Sequence, residues 1–167
     1  EGRKDSVVSE KRKSIYEMLD QSAIFYREQL RKSDSRGRAV DYLKGRGLSG
    51  EIAQAFAIGY APPGWDNLLK QLAVSNADRQ VLIDSGMLND IPEESKTYDR
   101  FRDRVMFPIR DLRGRTIAFG GRVVDDNAKP KYGKNSAIRL CLYDKSVLIL
   151  PKICIIFNKK QYGTKEN

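Results

Sequence analysis

Arginines set two residues apart among apolar side chains carry the chemistry of this chain. From Lys96 to Arg122 there are eight cations (Lys96, Arg100, Arg102, Arg104, Arg110, Arg113, Arg115, Arg122) and three acids, Asp99, Asp103 and Asp111. A planar guanidinium grips two phosphate oxygens at once, so arginines fixed on a rigid frame suit a phosphate-rich polymer. On extended backbone, Arg100 and Arg102 project toward one face. Between the charges, Val105, Phe107, Ile109, Ile117 and Phe119 alternate as in a folded hairpin, a pattern that a solvated linker would not carry.

Other chemistries have few candidates. The chain has no histidine, which removes the commonest general base and metal ligand. Cys141 and Cys154 are not spaced as a zinc site and fit a reducing compartment. A net charge of +9 and a pI of about 9.6 favour nucleic acid or acidic lipid as partner. The longest apolar stretch, Val147 to Phe157, is broken by Pro151 and Lys152 and is too short to span a bilayer. The 167 residues, 40% hydrophobic and 32% charged, suffice for one domain with a core. They begin at Glu1 without a methionine and read as a fragment.

The elements that must position the arginines follow from periodicity. Residues 1–13 read as a polar, frayed lead-in. From Ser14 the spacing of Ile15, Met18, Leu19, Ser22, Phe25, Tyr26 and Leu30 predicts a helix of about four turns. Ser33 to Gly37 reads as a loop. A short helix carries Ala39, Tyr42 and Leu43 and stops at Gly45-Arg46-Gly47. Ser49 caps the next helix, whose inner face holds Ile52, Ala53 and Phe56. Ala61-Pro62-Pro63-Gly64 is a rigid turn before a helix with Leu68, Leu69 and Leu72, and Asn76 caps one more, closed at Ser85-Gly86. After residue 96 the period becomes two. One strand covers Val105 to Ile109, Leu112-Arg113-Gly114 turns, and Arg115 to Val124 returns. Pro108 places its strand at an edge or a bulge, and Gly120-Gly121 marks a bulge or a close backbone approach. Helices followed by an antiparallel sheet make the class α+β. Trp65 and Phe56 read as core, and Arg104, Arg110, Arg113 and Arg115 as the solvated outside of the hairpin.

The words GRGLSGEIAQAFAIGYAPPGWDNL, LIDSGML, YDRFRDRVMFPIRDLRGRTIAFGGRVV and PKY occur in this order. Together they resemble the bacterial replicative primase of DnaG type, in the amino-terminal subdomain of its catalytic core. The resemblance implies a helical half and a small sheet over residues 14–136, preceding a TOPRIM subdomain. It also implies synthesis of short RNA primers on single-stranded DNA in the bacterial cytoplasm, at the nucleoid. The implied partners are the template, the RNA–DNA hybrid, nucleotides and a replicative helicase, with no membrane. The helicase contact belongs to a domain outside this chain. Mg2+ or Mn2+ in the TOPRIM part and Zn2+ in a separate module are the implied cofactors, with none held by this chain.

Positions carried over within the matched words are Arg46 in GRGLS, Arg100 and Arg102 in YDRFRDR, Arg122 in FGGRV, and Lys131 and Tyr132 in PKY. Arg46 also suits the carboxyl end of its helix. Arg122 follows two glycines that would let a phosphate backbone approach. Tyr132 beside Lys131 pairs a stacking face with a charge. The family's KYLNSPET reads KYGKNSAI here, so Asn135 is carried over with an offset of one residue. LYDKS (142–146) echoes the family's LFDKS, but the expected TOPRIM glutamate motif does not follow it. Residues 137–167 diverge, as one or two buried strands or as a frame-disrupted tail. Two-metal phosphoryl transfer needs paired carboxylates. The adjacent pair Asp125-Asp126 reads as a polar turn, and Asp84, Asp90 and Asp99 share no spacing. The chain is therefore expected to bind and not to polymerise by itself. The alternative is a non-catalytic interaction module, an eroded remnant docking through its apolar tail.

Overall fold

The computed structural model describes residues 2–124 and a strand at 132–134. Lys131, Asn135, Asp125-Asp126, both cysteines and residues 137–167 lie outside the described residues. The order is α1 (Gly2–Lys32), a 3-10 turn (Asp34–Arg36), α2 (Gly37–Gly45), α3 (Gly50–Ala55), β1 (Gly59–Ala61), α4 (Asn67–Leu72) and α5 (Asn76–Asp84). Then come β2 (Leu88–Ile91), a second 3-10 turn (Pro92–Glu94), β3 (Lys96–Asp99), β4 (Arg104–Arg110), β5 (Thr116–Val123) and β6 (Tyr132–Lys134). This is the expected α+β class. Among the described residues no helix is long and apolar enough to cross a membrane.

β1, β4, β5 and β6 form one antiparallel sheet in that order, and β2 pairs with β3 in a separate hairpin. Side chains alternate along β4: Met106 joins the core under α1, while Val105 and Phe107 join the core under α2. Helices therefore cover both faces of the sheet, and all eight residues of β5 are buried. That explains why the apolar-polar alternation is not an inside-outside one: Met106 and Pro108 are as buried as their neighbours. Pro108 lacks an N–H, and β1 pairs only with Arg104 to Met106, so Pro108 lies beyond β1's end. The register shift falls next to it, between Ile109 and Arg110.

α1 crosses β1 at close range. A Cβ on Gly59 would sit 2.6 Å from the Tyr26 carbonyl carbon, so only glycine lets the helix lie flat there. Its buried face, Met18, Leu19, Ser22, Ala23, Phe25 and Tyr26, has the expected spacing. The helix itself starts at Gly2, not Ser14. Lys, Glu and Arg propagate a helix well, and Lys11 bonds Asp84 of α5 at 2.8 Å. Ser49 caps α3 as expected, accepting from the Ile52 N–H. For α5 the cap is Ser75, not Asn76: its hydroxyl accepts from the Asp78 N–H, and the Asp78 carboxylate accepts back from the Ser75 N–H.

Candidate nucleic-acid interface

The corner between β3 and β4, Asp99 to Arg104, holds the arginines. Phe101 is buried at its centre. Two carboxylates pin the ends. Asp99 is 2% exposed and accepts from the backbone N–H groups of Leu68 (2.7 Å) and Leu69 (3.0 Å). Asp103, at φ +48, accepts from the Tyr60 hydroxyl at 2.8 Å and from Arg38 at 3.0 Å. Positive φ for a non-glycine residue is strained, and these two bonds hold it.

Between the pins the arginines differ. Arg102 sits between two aromatic rings, its guanidinium carbon 4.2 Å from the Trp65 centroid and 5.2 Å from that of Tyr98. The rings meet edge-on at 5.4 Å. Arg102 also donates to the Asp99 carbonyl at 2.5 Å. Trp65, expected in the core, is 63% exposed. It follows a Pro-Pro-Gly turn and lies outside the stripe of α4, so helical spacing does not govern it. Phe56 does pack against the α2-side core.

Arg100 is half-buried; burial lowers its pKa, while Tyr98 works to raise it. Arg104 is half-buried as well, not on the hairpin's outside. Burial lowers its pKa first, and the charges of Arg102 and Arg122 lower it further, so the three cations share one field. Of the other hairpin arginines, Arg113 is exposed, Arg110 is half-buried, and Arg115 pairs with Asp111 at 2.7 Å.

Arg122 is only 4% exposed and donates through Nε to the Tyr42 hydroxyl at 3.1 Å. The space beside Gly120 and Gly121 is taken by the rings of Phe107 and Phe101, so these glycines admit side chains and no second backbone. Arg46 caps α2 through its backbone and stacks its guanidinium 5.3 Å from the Tyr42 centroid. Tyr42 therefore joins Arg46 to Arg122. β6 sets Tyr132 opposite Arg122 in the ladder. Arg46 and Arg122 thus meet at Tyr42 on the α2 side of the sheet, whereas Arg104 projects beside Gly121 on the Met106 side, near enough for its charge to interact with those of Arg102 and Arg122.

The sequence reading missed Trp65, Tyr98, Tyr42 and Arg38. Their only signal was aromatic and cationic type, since their partners lie far along the chain. Among the described residues no three carboxylate, cysteine or histidine side chains come together to hold a metal.

Residues 25–150 match the family model of the DNA primase catalytic core, N-terminal domain. A DNA primase of Pseudomonas putida is 59% identical over 133 residues, covering 79% of this chain and 20% of that protein. A solved DnaG primase catalytic domain bound to single-stranded DNA is 48% identical with a TM-score of 0.71, over 76% of this chain and 38% of that one. The zinc-binding and RNA polymerase domains of the Aquifex aeolicus primase are 35% identical with a TM-score of 0.63, over 75% of this chain and 30% of that one. The chain spans about a fifth of the length of such relatives.

Proposed function

The chain belongs to the bacterial DnaG-type DNA primases, in the amino-terminal domain of their catalytic core, and on that premise we propose that it holds single-stranded template for primer synthesis. Arg102 laid on an exposed Trp65 is the observation that carries this reading. A cation over an indole face offers a strand both things it needs, a phosphate partner and a flat apolar surface for a base. Arg104 and the Arg46–Tyr42–Arg122 group raise the local potential beside it. By resemblance, Lys131, Tyr132 and Asn135 are further contacts of the same strand. Arg100 adds charge at the corner.

Such contacts read phosphate and ring faces, so binding should tolerate sequence. The RNA–DNA hybrid and incoming nucleotides are further ligands of the same face, and the helicase contact is placed on another part of the parent protein. Residues 14–136 form the binding unit. The divalent ions of primer synthesis and the zinc of a separate module have no donor set among the described residues. The setting is the bacterial cytoplasm, at the nucleoid.

Trp65 is the sole tryptophan, which makes intrinsic fluorescence a direct reporter. Titration with short oligothymidylate should quench it, and Arg102→Ala should weaken the apparent affinity about tenfold, the worth of one charge-assisted phosphate contact. Emission unchanged at saturating oligonucleotide would remove Trp65 and Arg102 from the site.

A further inference from the structure

α4 carries an oddity at its amino end. Asp66 occupies its cap position, yet makes no side-chain bond to the helix and pairs with Lys70 at 2.9 Å. The capping oxygens come from Asp99, about thirty residues further on, which accepts from both Leu68 and Leu69. A local Ser, Thr or Asp normally satisfies these donors at the surface. Here a buried carboxylate is used, and burial raises its pKa, with the backbone bonds from α4 opposing the shift. Its charge also raises the pKa of the buried Tyr26 hydroxyl, after burial itself.

Asp99 holds more than the helix. Its N–H donates to the Trp65 carbonyl at 2.7 Å, and its own carbonyl accepts from Arg102 at 2.5 Å. Tyr98, the second ring under Arg102, is its neighbour in β3. One residue thus bonds to the indole's backbone, to the guanidinium and to the helix that begins two residues after Trp65.

We propose that Asp99 is a positioning residue for the template platform, its buried carboxylate fixing α4 against the arginine corner so that Trp65 and Arg102 stay stacked before a strand arrives. This rests on the reading that the platform binds single strands. Preorganisation of this kind lowers the ordering cost that binding would otherwise carry. The carboxylate touches no ligand itself.

The test compares Asp99→Asn with Arg102→Ala and the double variant, each checked for folding by circular dichroism. In free protein, acrylamide quenching of Trp65 should rise in Asp99→Asn toward that of a free indole. Affinity for oligothymidylate should fall about tenfold, as for loss of one stacked base, and the double variant should bind no more weakly than Arg102→Ala alone, since coupled residues are not additive. Unchanged Trp65 quenching, or losses that add in full, would overturn the positioning role. Increased quenching with unchanged DNA affinity would leave the positioning role standing and overturn the platform as a DNA site. Should Asp99→Asn not fold, hydrogen exchange on the unaltered chain decides: the Leu68 and Leu69 amides must be protected like the core, and rapid exchange would overturn the proposal.

Discussion

Trp65 keeps most of an indole in water where burial would stabilise the fold more. Because its packing is limited to the Arg102 and Tyr98 contacts named above, Trp65→Ala should lower stability by only about 1 kcal/mol while weakening single-strand binding by about 1–3 kcal/mol. Thermal melts beside binding titrations check both halves. Tyr60 makes the opposite case. It is buried, and burial, followed by its hydrogen bond to Asp103, pushes its pKa up to about 12. A raised folded value gives stability that is complete below the ordinary tyrosine range of about 10 and is lost as pH rises through 12. Tyr60→Phe should therefore flatten the alkaline limb of stability, measured by urea melts across that window. At this scale the sequence disclosed the arginines and hid their partners. Arg100 and Arg102 announce themselves by spacing, but nothing local says that Trp65 lies under Arg102 or that Tyr42 accepts from Arg122.

The elements were legible where the signal is local. Ser49 before α3, the glycines after α2, and the Val105 to Val123 hairpin all follow from cap chemistry and period. Four short strands were not. β1 and β6 have three residues each, and β2 and β3 have four, too few for alternation to show, and the polar Asn89, Asp90, Lys96 and Thr97 resemble loop. They exist because partners pair with them: β1 with β4, β2 with β3. The cap of α5 was misplaced by one residue because Ser75 and Asn76 are both good caps, and only the return bond from Asp78 decides. Ser75→Ala should accordingly cost about 1 kcal/mol, read from urea melts. Gly59→Ala should cost more, about 1–3 kcal/mol, because the added carbon meets the backbone of Tyr26 and forces α1 off β1. A Gly59→Ala variant as stable as the parent would show that the helix has room to move.

Across the whole molecule the charge balance is +9, a field of the sign that favours polyanions. Its carboxylates do not all titrate alike. The bond from Lys11, then that from Gln80, holds Asp84 below the ordinary range. That pair adds stability above the unfolded carboxylate range, which is lost as pH falls through the lowered value. Asp99 has the opposite sign, since its raised pKa makes the ionised form a cost that acid relieves. Lys11→Ala should thus soften the acid-side loss in thermal melts, by under about 1 kcal/mol because Lys11 is exposed. The central claim concerns a strand lying along Arg46, Arg100, Arg102, Arg104 and Trp65. Fluorescence anisotropy with a short single-stranded oligonucleotide, repeated over a salt series, tests it most directly. Three engaged phosphates would give a slope of log affinity against log salt of about −2, and Arg102→Ala would make it shallower on every sequence alike. A flat slope, or one that Arg102→Ala leaves unchanged, would contradict it.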